Sequence, residues 1–228
     1  MFDFSFIGDN LPRYLDGVKM TLMISLISVI FGVVFGSILC FMKSSNIGIW
    51  KIKPLKIIAV VYIEVIRATP MILQILMVYA GSNMVFNLDL SAFTSAVIAI
   101  SINSSAYVAE IIRAGIDSVD KGQMEAARSL GMNKAMAMRL IIIPQAVRTI
   151  LPAIGNEFVA VIKESSMASV IGVTELIFNA KVVIGATYLP IESYLIAAGF
   201  YFIITFPLGR LMNYLERRLN SKWLRLKI

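Results

Sequence analysis

Five stretches of this chain, 15–42, 57–79, 93–112, 150–173 and 191–211, are apolar over about the 20 residues a helix needs to cross the hydrocarbon core of a bilayer. Runs of that length exceed what a soluble helix buries. They predict an all-α, polytopic membrane protein of about five transmembrane helices, and the 58% hydrophobic composition over 228 residues agrees. The fourth run is interrupted by Asn156, Glu157, Lys163, Glu164, Ser165 and Ser166, so its limits are the least sharply drawn.

Lys and Arg divide unevenly between the segments joining these runs, and basic segments are retained on the cytoplasmic side. Lys43, Lys51, Lys53 and Lys56 follow the first run. Arg113, Lys121, Arg128, Lys134, Arg139 and Arg148 follow the third, and Arg210, Arg217, Arg218, Lys222, Arg225 and Lys227 form the tail; together they are sixteen of the 21 basic residues. The segment 81–92 has none, and 174–190, read as an outer loop, has only Lys181. The expected topology is an N-terminus outside and a C-terminus in the cytosol of a bacterial inner or plasma membrane. It divides the chain into an extracytoplasmic segment (1–14), a transmembrane domain (15–213) and a basic tail (214–228).

The net charge of +7 sits mainly in these flanking segments, so topology and anionic lipid headgroups explain it and nucleic acid is not an expected partner. Asp3, Asp9 and Asp16 argue against a secretory signal, whose leading region is basic; the first helix is expected to be uncleaved. The single cysteine, Cys40, excludes an internal disulfide. There is no histidine, which removes the usual general base and the usual zinc or haem ligand, and no metal site is expected. No Gly-Lys dipeptide occurs, so the chain has no phosphate loop of its own. It is not expected to be an enzyme.

Between the third and fourth runs, Asp117–Met138 reads as short amphipathic helices that break at Gly131. Asp117 or Asp120 can cap the first of them, Ala126, Ala127 and Leu130 can form a small apolar face, and Asn133 can cap the next helix. The sequence Glu125-Ala126-Ala127-Arg128-Ser129-Leu130-Gly131, then nine residues, then Ile141-Ile142-Ile143-Pro144, resembles the cytoplasmic coupling loop of the permease subunits of ABC importers. Ile143 stands where Leu is usual. In that family the segment seats its helix in a groove of the ATPase subunit, and the resemblance assigns this role to Glu125, Ala126, Ala127 and Gly131.

Three further segments resemble the polar amino acid branch of that family: 14–22, with Tyr14, Gly17 and Thr21; 64–74, with Glu64, Arg67, Thr69, Pro70 and Gln74; and 106–116, with Ala106, Tyr107, Glu110, Arg113 and Gly115. Lys163-Glu164-Ser165-Ser166-Met167 stands where Lys-Asp-Thr-Ser-Leu is typical. The resemblance implies the type I importer transmembrane fold, a dimer of ATP-binding cassette subunits that holds ATP and Mg, and a second permease, identical or sister. It also implies an external binding protein that delivers the amino acid, and no cofactor in this chain.

An ionised side chain at mid-bilayer costs about 2.5–3.5 kcal/mol on the insertion scale, so each one inside a span needs a partner or water. Glu64 and Arg67, three apart on one helix, are expected to pair, with Thr69-Pro70 kinking the span just beyond. Glu157 and Glu164 are seven apart and share a helix face, whereas Lys163 points elsewhere. Two carboxylates on one face need a cation or a wet cavity. Glu64, Arg67, Thr69, Glu157, Lys163, Glu164, Ser165 and Ser166 are therefore candidates for a substrate pathway, with contacts to neighbouring helices as the competing role. Asn103-Ser104-Ser105 and the Gly32/Gly36 pair read as helix-packing positions.

Two other classes of function share some of these features. An ion-coupled secondary transporter would use intramembrane Glu and Lys, but would not need the docking loop and would show inverted repeats, which are not evident. A membrane scaffold for an ATPase would need the loop and no polar pathway.

Overall fold

The computed structural model describes residues 2–45 and 53–224, with the backbone alone at 86 and 220–224. Lys51, Arg225 and Lys227 of the charge pattern lie outside the described residues. Every regular element among those described is helical: α1 (Ile7–Ser44), α2 (Pro54–Ala68), α3 (Met71–Phe86), α4 (Ala92–Asp117), α5 (Lys121–Ser129), α6 (Lys134–Ala137), a π turn (Met138–Ile142), α7 (Ile143–Glu164), a 3-10 segment (Ser165–Ile171), α8 (Leu176–Thr187) and α9 (Pro190–Leu224). Four helical runs are long and apolar enough to cross a membrane, and α2 with α3, bent by 109° between them, reaches that length and apolarity only as a pair.

The expected spans therefore exist, with altered ends. At 38 residues, α1 is about 57 Å long at 1.5 Å per residue, far more than the ~30 Å hydrocarbon core requires. It begins inside what sequence marked as the N-terminal segment, because Phe6 and Tyr14 are buried there with Leu176, Ala180, Val183 and Ala197. The fourth span is also longer than expected. Helix runs without interruption from Lys134 to Ile171, through the π turn and the 3-10 segment.

The segment 174–190, read as a loop, is largely helical. Residues 176–187 form α8, too short to span but apolar, and Leu176, Asn179, Ala180 and Val183 are buried. Glycine permits the approach: a Cβ on Gly17 of α1 would come within 2.8 Å of the Leu176 Cα.

The longest interface joins α1 to α4. A Cβ on Gly32 would lie 2.7 Å from Ser104 Oγ, and one on Gly36 2.8 Å from the Ser105 carbonyl oxygen, so the small-x3-small pattern is a packing device here. Gly32→Val should destabilise the protein by about 1–3 kcal/mol, the usual cost of overpacking. Thermal unfolding in detergent measures this; an unchanged midpoint would mean that α1 can ride off α4 freely.

The main apolar core gathers Ile24 and Val29 of α1, Met71 and Ile75 of α3, Ala96, Val97, Ala99 and Ile100 of α4, Val161 of α7, and Ala168 and Ile171 of the 3-10 segment. Residues that follow the α2/α3 break and the change from α-helix to 3-10 helix after Glu164 thus share one core.

Candidate functional site

The projecting loop between α4 and α7 is built by local caps. Asp120 accepts from Gly122 N at 2.7 Å and starts α5. Gly131, at φ +84°, ends it: Met132 N donates to Ala127 O at 3.2 Å and Gly131 N to Arg128 O at 3.1 Å, the paired bonds of a Schellman motif. Asn133 then caps α6 through Met136 N at 2.9 Å. Pro144 lacks the N–H that an α-helix would use, and the chain reaches it through a π turn in which Ile143 N bonds back to Met138 O.

This geometry divides the expected apolar face. Ala127 is buried, as are Ala137 and Ile142 on the return limb, because α5 folds back against that limb. Ala126 and Leu130 face outward, Leu130 with 82% of its surface exposed. Glu125 beside them is exposed and makes no hydrogen bond or ion pair among the described residues. One flank of α5 holds the loop together; the other offers a carboxylate and two apolar side chains to solvent.

At the bundle centre, the break at Thr69-Pro70 is closed by Gln74. Its amide nitrogen donates to Ile66 O at 2.8 Å, Thr69 O at 3.1 Å and Thr69 Oγ1 at 2.8 Å, and its oxygen accepts from Asn103 Nδ2 at 3.0 Å. Thr69 Oγ1 itself donates to Val65 O at 3.0 Å. In lipid such carbonyls have no water to turn to, and broken helices persist only where side chains answer for them. Sequence marked Gln74 as part of a pattern without giving it this work; the signal was a buried amide four residues past an intramembrane proline.

The expected Glu64–Arg67 pair does not form. Both side chains are exposed in the single chain, and the Arg67 guanidinium lies over the Tyr107 ring of α4, 5.3 Å from its centroid. Spacing of three permits a pair, but an aromatic face on the adjoining helix competes for the same cation.

In α7, Glu157 accepts from Ser104 Oγ at 3.0 Å and lies within electrostatic range of Glu164. Lys163 is exposed, off their face. Ser165 is fully buried and donates to Ile162 O at 2.8 Å, and Ser166 donates to Lys163 O at 2.6 Å. The two hydroxyls serve the tightening from α-helix to 3-10 helix. The structure thus joins Glu157 to Ser104, sets Glu164 two turns further along α7, and leaves Glu64 and Arg67 apart on α2.

Sequence reading missed a second polar cluster. Glu175, wholly buried at the start of α8, accepts from Ile177 N at 2.9 Å, Phe178 N at 2.8 Å and Tyr201 OH at 3.2 Å. Thr21 Oγ1 of α1 accepts from Leu176 N at 3.2 Å beside it. A capping residue before an apolar run was the available signal.

A family model described as the binding-protein-dependent transport system inner membrane component matches residues 32–221. The chain belongs to that family. The permease is 39% identical over 220 residues to the glutamine transport system permease protein GlnP of Escherichia coli, covering 96% of this chain and 98% of that one. It is 38% identical over 219 residues to the arginine transport system permease protein ArtQ of Bacillus subtilis, again covering 96% and 98%. Among solved structures, the crystal structure of an amino acid ABC transporter with histidines superposes with a TM-score of 0.90 at 48% identity, covering 96% of this chain and 99% of that one. An inward-facing MetNI methionine ABC transporter gives 0.71 at 15% identity, covering 94% and 99%, which is a likeness of fold.

Proposed function

We propose that the permease is the membrane-spanning subunit of an ATP-driven importer of polar amino acids. The observation that carries this reading is the capped projection between α4 and α7, which turns Glu125, Ala126 and Leu130 to solvent with no partner among the described residues for the carboxylate. Relatives named for glutamine and arginine transport, and a solved relative with histidines, support the cargo class.

In this reading α5 enters a groove of an ATP-binding cassette subunit, which holds ATP and Mg, while this chain carries no cofactor. A second permease, identical or sister, completes the path, and an external binding protein delivers the amino acid. The projection lies in the cytosol, the N-terminus outside and the C-terminus inside. ATP binding draws the 125–131 helices together and opens the cavity outward; hydrolysis resets it.

The path runs past Glu157, Glu164, Lys163 and Ser166 of the fourth span and Glu64 and Arg67 of the second, whose charges meet the ammonium and carboxylate of the cargo. Thr69 and Ser165 shape it through the backbone at the two breaks.

Glu125→Lys tests the reading in vesicles carrying ATPase and binding protein. It should weaken ATPase association about tenfold or more, the equivalent of about 1.4 kcal/mol at a charged interface, and uptake should fall with it. Insertion into the membrane should be unaffected. Normal uptake by this variant would count against α5 as the docking helix.

A further inference from the structure

We propose that Glu110 is a positioning residue that ties α1 to α4 at the base of the projection, so that a displacement of α5 moves both helices as one body. The proposal rests on the reading of α5 as the ATPase-docking helix. Glu110 Oε1 accepts from Lys43 Nζ of α1 at 2.5 Å. Its Oε2 accepts from Arg113 Nε at 3.1 Å and Nη2 at 2.8 Å, and Arg113 Nη1 reaches Asp117 Oδ2 at 2.8 Å. The four charges balance, and Glu110 is the node through which both cations meet.

The location gives this cluster its use. Apolar packing between α1 and α4 is close at Gly32 and Gly36 but ends at Cys40, the last buried residue of α1; Phe41 beyond it is 72% exposed. Lys43–Glu110 is the ion pair that holds the last turn of α1 to α4. At the other end the chain passes stiffly from Asp117 into α5: Ser118 N bonds to Ala114 O at 2.9 Å, Val119 N to Ile116 O at 3.3 Å, and Asp120 caps α5 one residue on. Force on α5 therefore enters α4 at Asp117, within two turns of Glu110. The Lys43 bond carries it across to α1. Removing Glu110 strands Lys43 and leaves Arg113 with Asp117, so its loss frees the last turn of α1 from α4 without dismantling the end of α4.

Vesicles containing permease, ATPase and binding protein supply the test, with uptake and ATP hydrolysis measured in the same preparation. Glu110→Gln should raise the ATP hydrolysed per amino acid imported about two- to fivefold, the scale of a partly exposed ion pair, while ATPase association stays at the wild-type level. Lys43→Gln should reproduce the effect, and it keeps the measurement available if the Glu110 variant fails to fold. Asp117→Asn, which leaves the tie between helices intact, should keep the wild-type ratio. Wild-type ratios in both Glu110→Gln and Lys43→Gln, or an equal rise in Asp117→Asn, would overturn the proposal alone. Absence of ATP-driven uptake in wild-type vesicles would overturn the docking reading and the proposal with it.

Discussion

Gln74→Leu should destabilise the permease by about 3 kcal/mol or more, since each buried polar group left unpaired costs about 1–3 kcal/mol. Gln74 is 7% exposed and Asn103 5% exposed. Leucine fills similar space but removes at once the donors to Ile66 O, Thr69 O and Thr69 Oγ1 and the acceptor for Asn103. The 109° bend sets these carbonyls free by breaking the helical ladder, and the surrounding core of Met71, Ile75, Val97 and Ile100 has nothing polar to replace the amide. Asn103→Ala separates the two halves of the argument: it removes the Asn103 donor and keeps the Gln74 bonds to Ile66 O, Thr69 O and Thr69 Oγ1, so it should fall between wild type and leucine. Thermal unfolding in detergent ranks the three. A leucine variant within about 0.5 kcal/mol of wild type, the range of an inert surface change, would show that the bend holds without its amide.

Apolar run length and proline position were legible because they are properties of contiguous residues: five spans, a break at Thr69-Pro70, a reversal at Gly131, caps at Asp120 and Asn133. What escaped depends on distant segments. The oxygen of Gln74 is satisfied by Asn103, which comes 29 residues later, and no periodicity within 57–79 shows it. Glu64 and Arg67 satisfy a spacing rule, yet Tyr107 on another helix decides where the guanidinium rests. Helix α8 falls well short of the length that marks a span, and the scarcity of Lys and Arg in 174–190 says on which side a segment lies without saying that it is buried. Ala127 separates from Ala126 and Leu130 because the return limb folds onto one flank of α5, a tertiary event.

Glu175→Ala should cost still more, about 3–5 kcal/mol, since it takes the acceptor from three buried donors at about 1–3 kcal/mol each. Three donors converge on this carboxylate, and it is wholly buried. Alanine deletes the cap of α8, worth about 0.5–2 kcal/mol, leaves the Ile177 and Phe178 amides without an acceptor and takes the carboxylate from the Tyr201 hydroxyl. The damage reaches three helices, since α8 is pressed onto α1 at Gly17 and held beside α9 through Tyr201. Tyr201→Phe removes a single donor and leaves the cap intact, so it should cost only about 1 kcal/mol. The double variant Glu175→Ala/Tyr201→Phe should be no less stable than Glu175→Ala alone and should recover part of its loss, because it deletes the hydroxyl that the single variant strands. A double variant that instead loses the sum of both single effects would mean that the two side chains act separately. The cap and the tyrosine would then be two holds on α8 rather than one.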